Sequence, residues 1–194
     1  MKPTIHRACW LAARLVLPLL AACGSAGAHE LQENRATLAQ REPAFVAMTL
    51  YIDLPEAMHR SLAPGRPFAE FAAAQANLAP DAFKAVLLQA ATRMQSQTRV
   101  RTAKGQPLAF ECWAWPDAAR VQAALRERLM EAVVAPSQHS HNAPLEVHAE
   151  LRSVQPISAL RVQFTPALGR VMVVSYRPRQ MWVDAGSLSP AVTF

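Results

Sequence analysis

Glycine is scarce in this chain, 6 of 194 residues, and no two are adjacent. That excludes a P-loop and the G-x-G-x-x-G turn of dinucleotide-binding folds, which need clustered glycines so that backbone amides can approach a phosphate. Cysteine is nearly absent. Of 3 in total, Cys9 and Cys23 precede the folded part and leave Cys112 alone. An intramolecular disulfide is therefore excluded, and so is a multi-cysteine zinc site. No apolar run reaches the roughly 20 residues that span a bilayer. No dense Lys/Arg run interleaves with aromatics, which argues against a nucleic-acid surface. There is no G-x-S-x-G elbow and no H-E-x-x-H pair, so no catalytic residue is assigned and the chain reads as a non-enzyme.

What is present begins with the amino terminus. Met1 to Arg7 is short and basic, Ala8 to Ala22 is mostly apolar, and small residues follow. A basic start, a short apolar centre and a small-residue end mark a secretory signal. Two cleavages are written into it. Ala26-Gly27-Ala28 fits ordinary signal peptidase and would leave residues 29–194 as a soluble domain starting at His29. Leu20-Ala21-Ala22-Cys23 resembles the lipobox of bacterial lipoproteins, which would remove residues 1–22 and anchor the protein through lipidated Cys23. Either way the expected compartment is the periplasm, with membrane attachment only by that lipid. Lys2, Arg7 and Arg14 fall before residue 28, so the 20 basic residues drop to 17 against 14 acidic ones and the formal charge drops from +6 to +3.

Residues 29–194 suffice for one domain with a real core. Arg35 to Gln40 and Ala44 to Leu54 read as strands, the second apolar on both faces and so expected to be covered on both sides. A helical insert of about 55–96 follows. Pro55 opens two turns, Phe68 to Ala76 is Ala-rich, and Phe83, Val86, Leu87, Ala90, Ala91 and Met94 form one amphipathic stripe. Thr98 to Thr102 and Leu108 to Trp115 read as a hairpin around Ala103-Lys104-Gly105-Gln106. Residues of about 116–134 form a helix with Val121, Leu125, Leu129, Ala132 and Val133 buried, and with Arg120, Gln122, Arg126 and Glu127 mainly off that stripe. Leu145 to Arg152 alternates as a half-buried strand. Leu160 to Phe164 repeats the pattern, Val171 to Tyr176 reads as a largely apolar strand that Pro178 breaks and Gln180 to Asp184 resumes, and Pro190 to Phe194 adds a short edge. Strands at both ends with helices between predict an α+β fold. The antiparallel late strands point to a β-sandwich-like, immunoglobulin-like sheet carrying a helical insertion.

Several residues invite a chemical reading. A free His29 would offer an amine and an imidazole to one metal, His139 and His141 two more nitrogens, and His148 a fourth. Such nitrogen sites suit copper, nickel or zinc. Trp113 and Trp115 lie two apart on one strand and offer an aromatic platform or a pair of large core residues. Arg170, Arg177 and Arg179 surround Tyr176, as an anion or lipid site or as charges guarding an edge strand. Cys112 reads as a small buried residue.

His29-Glu30-Leu31 directly after Ala28, then Arg35-Ala36-Thr37-Leu38 and the Ala103-Lys104-Gly105-Gln106-Pro107-Leu108 turn, resemble the extracytoplasmic domain of HupE/UreJ-type membrane proteins, the hydrogenase and urease accessory relatives. The resemblance covers the order of elements over residues 29–194 but lacks that family's transmembrane helices. It implies an exported, sandwich-like accessory domain acting beside a membrane-protein partner in metal handling.

Overall fold

The structure, a computed structural model, describes residues 34–134, 143–178, 183, 185 and 186, with the backbone alone for 132–134. The expected signal segment, Cys23, His29, His139, His141, Arg179, Trp182 and the expected strands at 180–184 and 190–194 lie outside the described residues.

Strand β1 (Asn34–Glu42) turns at Pro43-Ala44 into β2 (Phe45–Ile52), and the two pair antiparallel. Burial along β2 alternates strictly. Val46, Met48, Leu50 and Ile52 are buried, while Phe45, Ala47, Thr49 and Tyr51 are half-buried. The strand is thus covered on one side, not two. On its second face the aromatics lie under arginine guanidinium groups from neighbouring strands. Arg35 lies 4.4 Å over the Tyr51 ring and Arg152 4.5 Å over Phe45. Apolar alternation alone does not separate an aromatic in the core from one under a cation.

Asp53 ends β2 and caps α1 (Leu54–Leu62), its Oδ1 accepting the Glu56 amide at 3.1 Å. Pro55 fits the first turn because its missing N–H would have no intrahelical acceptor there. Helices α2 (Phe68–Ala76) and α3 (Pro80–Gln97) follow, the latter burying Phe83, Leu87, Ala90, Ala91 and Met94. Helix α4 (Ala118–Val134) buries Val121 and Leu125. These helices and the even-numbered face of β2 share one apolar core.

Gln122 corrects the expected polar face of α4. It is 4 % exposed, and its Nε2 donates to the carbonyls of Ala76 and Leu78 at 3.3 and 2.9 Å. Arg126 Nε donates to the Ala76 carbonyl at 3.1 Å. Side chains of α4 thereby satisfy the open carbonyl end of α2, as a buried helix end requires.

The expected hairpin also divides. Strand β3 (Arg99–Thr102) pairs with the short β4 (Pro107–Leu108), whereas β5 (Glu111–Ala114) leaves to join β6 (Leu145–Arg152) in another sheet. The break falls at Ala109-Phe110, and β5 is itself irregular just after it, with Cys112 at φ +50° and a register shift between Glu111 and Ala114. Left-handed backbone at a non-glycine residue kinks the strand and turns its side chain outward. Cys112 is exposed, not buried.

Strand β7 (Leu160–Gln163) completes a three-stranded antiparallel sheet in the order β4-β3-β7. The larger sheet runs β5-β6-β2-β1-β8, where β8 is Val171–Tyr176. Here the all-antiparallel expectation fails, because β8 lies parallel to β1 with Asn34 opposite Val171. The cause is local. Asn34 Nδ2 donates to the Leu168 carbonyl at 2.6 Å, in the 3-10 turn Pro166–Leu168 that precedes β8. Its Oδ1 accepts the Asp53 amide at 3.0 Å. Both strands therefore start from one carboxamide and run the same way. The fold is α+β with one mixed and one antiparallel sheet, both open, in place of the antiparallel sandwich that the strand pattern predicts.

Candidate functional site

Among the described residues, β8 has β1 as its one strand neighbour, so its outer side is a sheet edge. The edge is apolar on both faces. Met172, Val173, Val174 and Tyr176 are 44, 51, 41 and 51 % exposed. Folded proteins usually blunt such an edge with inward charges, proline or a bulge. In β8 the charges stand only at the ends, Arg170 before the strand and the exposed Arg177 after it. The apolar run 171–176 marks a strand but not its position, because pairing partners are set by the whole topology.

The second face of the large sheet carries His148. Its Nδ1 lies 3.2 Å from Thr49 Oγ1, and its Nε2 lies 3.5 Å from Glu146. Both ring nitrogens thus face protein groups, and the ring sits in the open. Glu150 stands beside Arg152 at 3.2 Å. Among the described residues no three histidine, cysteine or carboxylate side chains converge, so the described part of the expected nitrogen set supplies one imidazole and no metal centre.

His59 is the buried histidine. It lies between the rings of Phe68 and Phe71, with centroids 5.5 and 5.4 Å away. Its Nε2 donates to the Arg66 carbonyl at 2.7 Å, fixing the loop between α1 and α2. The carbonyl can only accept, so the proton is on Nε2, and Nδ1 faces Glu56 at 3.8 Å. This is a structural histidine. Asp53 and Glu56 are equally structural, the first as a cap and the second paired to Arg60 at 2.8 Å.

Trp113 and Trp115 stack, with centroids 5.9 Å apart and planes 16° from parallel. Trp113 Nε1 donates to the Phe110 carbonyl at 3.0 Å, and the Phe110 ring meets Trp113 edge-on at 6.0 Å. Trp115 Nε1 is buried without a hydrogen-bond partner among the described residues. The pair is both core wall and half-open surface, so the two readings of the sequence pattern merge.

Compared with protein-family models, curated proteins and solved structures, the chain matches none.

Proposed function

We propose that this chain is an exported, non-catalytic accessory domain of the bacterial periplasm that engages a protein partner by offering the edge of β8 to a strand of that partner. The observation that carries the reading is the edge itself, four large apolar side chains exposed on both faces of one strand. An added strand would satisfy the outward backbone groups and cover both apolar rows, the mode known as β-augmentation. The exposed Arg177 after the strand favours an apolar strand that carries a carboxylate at that end. The HupE/UreJ resemblance would make the partner a membrane protein of metal handling. A second reading keeps the edge and changes the anchor: Cys23, lipidated, would make the protein an envelope lipoprotein that presents the same interaction surface. Mass spectrometry of the mature amino terminus separates the two readings.

The test of the edge is site-specific photo-crosslinking in cells. A crosslinker at Val174 is expected to yield one discrete protein adduct. At Leu88, which is 68 % exposed on α3, it should yield none. Val173→Asp, which puts a charge on the strand's other face, should remove the Val174 adduct while leaving the protein folded by circular dichroism. Equal adducts from Val174 and Leu88, or none from Val174, would refute the proposal.

A further inference from the structure

A second feature lies away from β8. A cleft of about 550 Å³ opens between β3, β4, the segment leading to β5 and the carboxyl-terminal half of α3. Its volume falls within the range that encloses one small molecule, about 300–1,000 Å³. Leu108, Phe110 and Trp113 supply its apolar wall, and Gln95, Arg99 and Arg101 its polar one. No carboxylate lines it.

The electrostatics of the rim need an explanation. Arg99 and Arg101 lie two apart on β3, so they share a face, and both are exposed. Arg101 stands directly opposite Arg161 of β7 in the antiparallel register. Directly opposed residues on paired strands hold their Cβ atoms about 4.5–5.5 Å apart, and like charges there are destabilising. Among the described residues Arg99, Arg101 and Arg161 make no ion pair. A third cation thus adjoins two at the mouth of a cleft whose wall is aromatic. An anion placed there relieves the repulsion, and guanidinium forks bind carboxylate and sulfonate oxygens through paired N–H donors.

The aromatic wall adds shape. Trp113 is held by the Nε1 bond to the Phe110 carbonyl, by the edge of Phe110 and by the Trp115 ring stacked on it. A ring locked in this way offers a preorganised surface, which reduces the entropy lost on binding. Flat groups with a π-face use such a surface best.

We infer that the cleft between β3, β4 and α3 binds a planar aromatic anion, its ring against Phe110 and Trp113 and its carboxylate or sulfonate at Arg99 and Arg101. This site is separate from the β8 edge, and neither proposal depends on the other.

Isothermal titration calorimetry with 2-naphthoate tests it, with 2-naphthalenemethanol as the neutral counterpart and cyclohexanecarboxylate as the non-aromatic one. Expected is saturable one-to-one binding of naphthoate, at least tenfold tighter than either control. Arg99→Gln with Arg101→Gln, both on exposed side chains, should weaken naphthoate at least tenfold and leave the weak affinity for the neutral alcohol unchanged. Trp113→Leu should weaken both aromatic compounds. Should that variant unfold, the arginine pair alone still carries the test. Equal affinity for naphthoate and its alcohol, naphthoate binding indifferent to the arginines, or no naphthoate binding would each overturn the inference.

Discussion

Asp53 and Arg128 are separated by 75 positions in the chain, yet Arg128 Nη1 lies 2.8 and 2.6 Å from the two carboxylate oxygens of Asp53. The same guanidinium lies 4.7 Å over the Phe68 ring. One arginine of α4 thus contacts the cap of α1 and the first residue of α2. Three helices are registered by a single side chain at the surface of the core.

Asp53→Ala removes both the cap and the ion pair. The cap contributes about 1 kcal/mol, and the pair, with Asp53 partly exposed, contributes less than about 1 kcal/mol. The expected loss is therefore about 1–2 kcal/mol in urea denaturation. Asp53→Asn should keep most of the cap and lose only the smaller part. Equal losses from the two variants would show that the ion pair, not the cap, dominates.

Gln122→Ala should be costlier than its expected place on the polar face of α4 implies. It takes the side-chain donor from the Leu78 carbonyl and leaves that of Ala76 to Arg126 alone, a penalty of about 1–3 kcal/mol. The check is the denaturation midpoint of Gln122→Ala beside that of Ala123→Ser one position on, where the side chain is exposed. A midpoint unchanged in Gln122→Ala would mean that water replaces the amide without penalty.

Gly169 has φ +62° and ψ −131°, a conformation that side chains with a Cβ rarely adopt. Gly169→Ala is expected to destabilise by about 1–3 kcal/mol through backbone strain. A Cβ there would lie 2.9 Å from Arg60 Nη1, but that guanidinium is at the end of a flexible chain and can move. Gly65→Ala is the control. It has open space and no positive φ, and its midpoint should shift little. Equal shifts at the two positions would remove the strain argument.

His148→Ala should leave any copper or nickel affinity of the protein unchanged in a calorimetric titration, since both ring nitrogens face protein groups and no second ligand joins them among the described residues. A loss greater than about threefold would restore His148 to the four-histidine site. The parallel His29→Ala variant asks whether the amino-terminal chelate exists, and equal affinity there would dismiss it.

Much of the architecture was readable where neighbours in sequence are also neighbours in space. The stripe of α3 and the alternation of Leu145, Val147, Ala149 and Leu151 follow from helix and strand periods alone, and the structure buries those strand residues as expected. Features fixed by distant partners were not readable. Gln122 is a lone amide between Val121 and Ala123 and shows no trace of the carbonyls it meets at the end of α2. The chain passes from one sheet to the other at Ala109-Phe110, between β4 and β5, without a proline or glycine to mark it. The candidate sites divide in the same way. The Trp113–Trp115 spacing marked the pair as either a platform or large core residues, whereas the apposition of Arg101 and Arg161 depends on a strand register that joins segments 60 residues apart. The open edge of β8 required knowing which strand is last in the sheet.

The carboxamide of Asn34 has a consequence for how the chain assembles. Its bond to the Leu168 carbonyl spans 134 residues. A polypeptide that emerges amino terminus first therefore presents β1 with one flank unpaired until almost everything else has been delivered. The β1–β2 hairpin and the helices can gather early, but the parallel docking of β8 must wait for the longest loop closure in the described fold, and non-local closures of this kind are slow. Among the described strands, β1 is a margin of the large sheet until then and β8 afterwards, so a chaperone that guards the incomplete molecule and a partner that meets the finished one would face two different strands.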